Sequence, residues 1–186
     1  MSKKTIFDRN LKISRPEVNL STFNYLLSQI VQYYLTNSRN LNDELEILGE
    51  SMGPRILELF VFREKTLKHE IKHVEILKYI HSTVWKGLFG KTADSLEKAK
   101  DSETEYMIKD FSPSYMKYVS EYSNYSVASL MVGMIKGILN SSGFEAQVIY
   151  QTIWQDGAGG RKSLYPQTVW IVEFAKGVIS REKEGN

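Results

Sequence analysis

Between Asn124 and Gly143 the chain carries a helix with two different faces. Val127, Leu130, Met131, Met134, Ile135, Ile138 and Leu139 recur at steps of one and three, the stripe that an amphipathic helix turns toward a core. Ser126, Ser129, Gly133 and Gly137 form the second face, whose lack of bulk lets a sheet or another helix come close. Asn124 can cap the start, and Ser141-Ser142-Gly143 stops the helix. Another pair of glycines sits upstream, Gly49 and Gly53, within an apolar seam of Leu41, Leu45, Leu48, Met52, Ile56, Leu59 and Phe60. Gly49-x-x-x-Gly53 reads either as a place of close backbone approach or as relief of crowding beside Pro54. Pro54 cannot donate to the carbonyl of Glu50, so a kink or break is expected near Met52 to Pro54. Glu46, Glu50, Arg55 and Glu58 argue against a membrane-embedded version of the motif.

A first helix precedes this one, with Phe23, Leu26, Leu27, Ile30, Val31, Tyr34 and Leu35 on its stripe and Asn19 or Ser21 as cap. A third follows, marked by Val74, Leu77, His81, Val84 and Leu88 and ended by Gly90 in a left-handed cap. Ala93 to Ala99, built from Ala, Leu, Glu and Lys, predicts a short helical segment. Glu105–Phe111, Tyr115–Val119, Phe144–Trp154 and Thr168–Phe174 read as strands. Helices early and strands late are the order of an α+β domain, with helices packed on one face of a twisted antiparallel sheet. The division is a basic arm over residues 1–17, one domain over 18–182 and a charged tail over 183–186.

At 186 residues, 42% of them hydrophobic and 25% charged, the chain fits one soluble globular domain. The net charge of +2 is too balanced for a general nucleic-acid binder. With no cysteine there are no disulfides, thiol nucleophiles, Cys-ligated metals or thioester lipids. The first residues have positive charge but no apolar h-region, so an intracellular product is expected.

The sharpest enzyme-like string is His69-Glu70-Ile71-Lys72-His73, an H-E-x-x-H in which two imidazoles one helical turn apart could hold zinc with Glu70 as base. The long metalloprotease form needs glycine and histidine where this chain has Ile76 and Tyr79. His81 falls on the apolar stripe and reads as a hydrogen-bonded core histidine, which leaves a downstream carboxylate such as Glu97 as third ligand. Asp156-Gly157-Ala158-Gly159-Gly160-Arg161-Lys162-Ser163 ends like a phosphate loop, but Asp156 and Arg161 stand where glycines belong and Leu164-Tyr165-Pro166 opposes a following helix. A hairpin loop fits better. No carboxylate pair stands out for acid-base work, and the chemistry points to an interaction domain with no cofactor or metal.

Several strings, in order along nearly the whole chain, carry a family resemblance: Asp8-Arg9-Asn10-Leu11, Leu48-Gly49 through Gly53-x-Arg55-Ile56-Leu57, Arg63-Glu64-Lys65, Val84-Trp85-Lys86-x-Leu88-Phe89-Gly90-Lys91-x-Ala93-Asp94-x-Leu96-Glu97, Ser142-Gly143-Phe144-x-Ala146-x-Val148 and Val178-Ile179-x-Arg181. They resemble the small α/β subunits of the transport protein particle (TRAPP), the fifth-subunit type most of all. The resemblance implies helices on an antiparallel sheet and a vesicle-tethering complex that is a guanine-nucleotide exchange factor for a Rab GTPase in ER-to-Golgi transport, with related roles in autophagy. It implies a scaffold that bridges the third-subunit class and a sedlin-type second subunit and meets the Rab only through the complex. It implies a cytoplasmic protein, peripheral at ER and cis-Golgi membranes, whose membrane contact comes through the complex. The family's acyl-bearing cysteine belongs to the sister subunit. Pro54 and the loop from Asp156 to Gln167 depart from the pattern.

The resemblance also implies pairing with a sister subunit through the first two helices. Phe23, Leu26, Leu27, Ile30 and Val31, set against Leu45, Leu48, Met52, Ile56 and Leu59, leave more apolar surface than one small sheet covers. These residues are the candidate partner interface; filling the monomer core is their other use, and a wide stripe can serve both. Two readings from other classes stand beside the scaffold: a zinc-dependent hydrolase built on His69, Glu70 and His73, and a small-molecule sensor enclosing an apolar cavity.

Overall fold

The structure, a computed structural model, describes residues 18–64, 72–116, 126–153, 156–157, 161–162 and 167–184. The arm over 1–17, His69, Glu70 and the cap at Asn124 lie outside the described residues. Helix α1 (Leu20–Asn37) begins where the Asn19 side chain accepts the Ser21 N–H at 3.0 Å, as its sequence predicts. Helix α2 (Leu41–Glu64) has Asp43 and Glu44 in its first turn and Arg63 in its last, each complementary to the helix dipole. It runs on through Pro54, which lies on its exposed side, so of the expected kink or break the break does not occur.

Helix α3 (His73–Tyr79) passes through a π turn (Ile80–Val84) into α4 (Trp85–Phe89), which ends at Gly90 with φ +77°, the expected left-handed cap. Sequence reasoning missed the π turn; in it the His81 carbonyl accepts the Ala93 N–H at 3.1 Å. Residues 95–98 correct the expectation of a helix: they form strand β1 (Ser95–Lys98), paired antiparallel with β2 (Glu105–Asp110) in the register Leu96↔Ile108. Ladder bonds and the packing of Leu96 on the core outweigh the helix propensity of these residues. The strand expected at Tyr115–Val119 is instead a 3₁₀ turn (Ser114–Met116) with Tyr115 buried; residues 117–119 are outside the described residues.

Helix α5 (Ala128–Ser141) then leads through Gly143, φ +82°, to β3 (Ala146–Ile153). The two-residue strands β4 (Asp156–Gly157) and β5 (Arg161–Lys162) form the expected hairpin, and β6 (Gln167–Phe174) returns beside β3. The main sheet is antiparallel throughout, in the order β1-β2-β6-β3. Its inner face, with Ile108, Val148, Trp170, Val172 and Phe174, is buried beneath the helices. The architecture is therefore α+β. Helix α6 (Lys176–Glu184), which the sequence reading did not foresee, ends the described chain and extends into the stretch read as a tail.

Helix α5 is held by α2 along its small face. A Cβ at Gly49 would stand 2.8 Å from Met134 N and closer still to Leu130 O; one at Gly53 would stand 2.7 Å from Gly137 C. The reverse holds: a Cβ at Gly133 would meet Glu46 O and Glu50 N, and one at Gly137 would meet Glu50 O. The glycine pairs therefore exist for close approach, which settles the two readings of Gly49 and Gly53. The Gly137 hydrogen in the Cβ direction aims at the Glu50 carbonyl, the acceptor that Pro54 deprives of its helical donor, so a Cα–H···O contact compensates there. Asn42 Oδ1 accepts the Ser126 N–H at 3.1 Å and the Ser129 hydroxyl at 3.2 Å. Lys136 closes the seam on Glu46 at 3.0 Å and Glu50 at 3.4 Å.

Adding one methyl at Gly133 should destabilise the fold by about 3 kcal/mol, because the backbone of α2 cannot retreat without separating the helices. Gly177→Ala in α6, where a Cβ meets nothing within 4 Å, should change stability by no more than about 0.5 kcal/mol. Urea unfolding of both variants checks the contrast. The hydrogen bond to Glu46 raises the Lys136 pKa above the ordinary lysine value, against the opposing pull of burial. This stabilisation is full below the unfolded lysine value near pH 10.4 and is lost as pH rises through the higher folded value. Lys136→Met should therefore flatten the alkaline limb of the stability curve while costing stability at pH 7, measurable by unfolding between pH 7 and 11.

Candidate partner-binding surface

The candidate interface divides by depth. Leu27, Val31, Leu45 and Ile56 are in the core; Ile30, Leu48 and Met52 are half-buried against it; Phe23, Leu26 and Leu59 reach the surface. The core uses one arc of each helix, and a neighbouring apolar arc, partly packed on that core, reaches the solvent. On α1 this arc is Phe23, Leu26 (58% exposed), Ile30 and Tyr33 (63%), spaced three, four and three apart. On α2 it is Leu48, Met52, Leu59 and Phe62, the last 71% exposed. Tyr33 and Phe62 were not among the residues first assigned to the surface, although their spacing from Leu26 and Leu59 places them on the same arcs. Val18, Tyr25, Leu35 and Ile47 are exposed as well.

Between α1, α2, α4 and α5 lies a cavity of about 140 Å³. Phe23 and Leu88, both partly exposed, are among its lining residues; Leu27, Ile56, Met131 and Met134 line it from the core. No charged residue lines it. Leu88 and Phe89 are fixed there by the string that carried most of the family resemblance. The Trp85 Nε1–H donates to Asp110 Oδ2 at 3.0 Å, and the Lys91 ammonium donates to Asp110 Oδ1 at 2.5 Å. The Ser112 N–H donates to the same Oδ1 at 3.0 Å, while Asp94 accepts the Phe111 N–H at 2.6 Å. Trp85 stands edge-on to Trp170 at 4.9 Å and to Phe89 at 5.4 Å, and Phe89 meets Tyr115 at 5.4 Å. Gly87 leaves room for the ring of Phe60. The fully buried Asp110 thus joins helix layer and sheet beside the cavity.

Of the two histidines and the glutamate of the H-E-x-x-H string, His73 alone lies among the described residues. Its Nδ1 lies 2.7 Å from Glu182 Oε2 and its Nε2 lies 2.9 Å from the Tyr106 hydroxyl, so both ring nitrogens are engaged within the protein. The ring packs edge-on against Phe174 and Tyr106 and latches α6 to α3 and the sheet. Burial, with the Glu182 charge second, pushes the Tyr106 phenol above its ordinary pKa. Glu97 is committed elsewhere: Lys109 at 2.6 Å, with Ser95 second, lowers its pKa. Among the described residues no group of three His, Cys, Asp or Glu is placed to hold a metal. His81 departs from expectation: its Nε2 is buried with no hydrogen-bond partner among the described residues. No helix among the described residues is long and apolar enough to cross a membrane.

The family described as Transport protein particle (TRAPP) component matches residues 23–174. A Dictyostelium discoideum protein named Trafficking protein particle complex subunit 5 is 40% identical over 95% of this chain and 95% of its own length. A Homo sapiens protein of the same name is 33% identical over 97% of this chain and 93% of its own length. Among solved structures, a Naegleria fowleri trafficking protein particle complex subunit 3 covalently bound to palmitic acid superposes with a TM-score of 0.69, covering 85% of this chain and 96% of that one at 18% identity. That likeness supports the fold.

Asp110→Ala removes the acceptor of three donors and leaves the Trp85 N–H buried without a partner. It should cost about 2–3 kcal/mol in chemical unfolding and shift the tryptophan emission of Trp85 and Trp170 to longer wavelength. An unchanged midpoint would mean that the carboxylate does not join the two layers.

Proposed function

Because the chain belongs to the Transport protein particle (TRAPP) component family, we propose that it is a non-catalytic scaffold subunit of a vesicle-tethering TRAPP complex, docking other TRAPP subunits through the solvent-facing arcs of α1 and α2. The complex serves as exchange factor for a Rab GTPase in ER-to-Golgi transport, and this chain meets the GTPase only through the assembly. One neighbour is a subunit of the third class, on α1 and α2; another is of the sedlin type. The protein works in the cytoplasm, held at ER and cis-Golgi membranes by the complex.

The observation that carries this reading is the second apolar arc. Phe23, Leu26, Tyr33, Leu59 and Phe62 together expose on the order of 500 Å² of mostly apolar area, at the upper end of what a monomer tolerates. A stable interface takes about 800 Å² from each partner, so the patch would form the centre of one. Near-full-length similarity to proteins named as subunits of a trafficking particle complex supports the same conclusion.

The sensor reading draws on the cavity and on the palmitic acid of the Naegleria fowleri relative. This chain has no cysteine to form a thioester, and a cavity near 150 Å³ is the size that holds one benzene. An acyl chain is much longer, so the scaffold reading stands first.

The test is a pair of exposed substitutions, Leu26→Glu and Leu59→Glu. The double variant should lose at least about 100-fold in affinity for a purified third-class subunit, by titration calorimetry, while its own unfolding free energy changes by less than about 0.5 kcal/mol. Retention of full affinity would overturn the assignment of this face.

A further inference from the structure

Resting on the docking face just proposed, we infer that the cavity between α1, α2, α4 and α5 is the receptor for one benzene-sized apolar side chain, Phe or Leu, projecting from the partner's helix. Three observations commit it to that occupant. The space is about 140 Å³, and cavities of that size with apolar walls stay dry and take up benzene. Its lining carries no charged residue, so a ligand with a carboxylate or phosphate head finds no counter-charge there, whereas a hydrocarbon side chain loses nothing on entry. Phe23 belongs both to the cavity lining and to the exposed α1 arc, so a helix lying along that arc passes close to the cavity.

The energetic role follows from the area of the patch. The exposed arcs fall short of a full interface, and a side chain inserted into a dry pocket at the centre of the contact supplies the desolvated anchor that dominates most interfaces. The Trp85–Asp110–Lys91 lock becomes a positioning device, because it holds Leu88 and Phe89 at the pocket before the partner arrives and so lowers the ordering cost of binding.

Two variants of the full chain test this. Met134→Phe fills the cavity from within, and Leu88→Trp covers it from a partly exposed position. Filling a void removes a defect of the free protein, so Met134→Phe should fold with an equal or higher unfolding midpoint and yet bind the third-class subunit about 30-fold more weakly. Leu88→Trp should lose affinity similarly. If Leu26→Glu abolishes binding while both cavity variants bind as wild type, the pocket proposal fails and the docking face survives. If none of the three weakens binding, the face itself is wrong. One further outcome overturns the proposal by naming another occupant: an acyl chain found by native mass spectrometry of the free protein.

Discussion

Everything in the helix layer depends on how closely two backbones can approach. Gly49 and Gly53 of α2 and Gly133 and Gly137 of α5 leave no room for a Cβ on either side, and the flanking bonds of Asn42 and Lys136 fix the register between them. With α5 held there on its small face, its apolar face is free to pack on the sheet through β3. Such backbone contact is more familiar inside membranes, where small residues let helices meet without a hydrophobic drive. Here the surrounding charges keep the motif in an aqueous protein, and one of them, Lys136, bridges the seam.

Much of this was legible beforehand because periodicity reports burial. The stripe of α5, the small residues opposite it, the caps at Asn19, Gly90 and Gly143 and the two long strands all follow from local rules that the final packing obeys. The failures share a cause. Ser95–Lys98 is composed of residues that favour a helix and becomes a strand because β2 offers it a ladder, information held in residues 105–110 and not in the segment itself. The π turn at Ile80–Val84 likewise serves a distant partner, the Ala93 N–H. Pro54 misled in the opposite direction: its local effect is real, but the carbonyl it orphans is met by Gly137, more than eighty residues away.

The candidate surface was legible in outline and not in depth. An apolar stripe shows which helices are greasy, but only the packed structure separates Leu27 and Ile56, which the core takes, from Leu26 and Leu59, which it leaves. The string richest in family resemblance, around Trp85 and Asp94, was readable as a signature without any indication of its use. Its residues act by joining the helix layer to the sheet through Asp110, and His73, which looked like a metal ligand in sequence, does similar work at the other end of the fold through Glu182 and Tyr106.

The distance along the chain between the two halves of the glycine seam has a consequence for the protein's birth. The Asn42–Ser126 and Glu46–Lys136 contacts join residues separated by 84 and 90 positions. At about 5–20 residues per second of synthesis, α2 leaves the ribosome roughly 5–20 s before its partner helix exists. During that interval its backbone groove is uncovered, because the helix that closes it has not yet been made. The pace of translation through residues 65–127 therefore sets how long that groove stays bare.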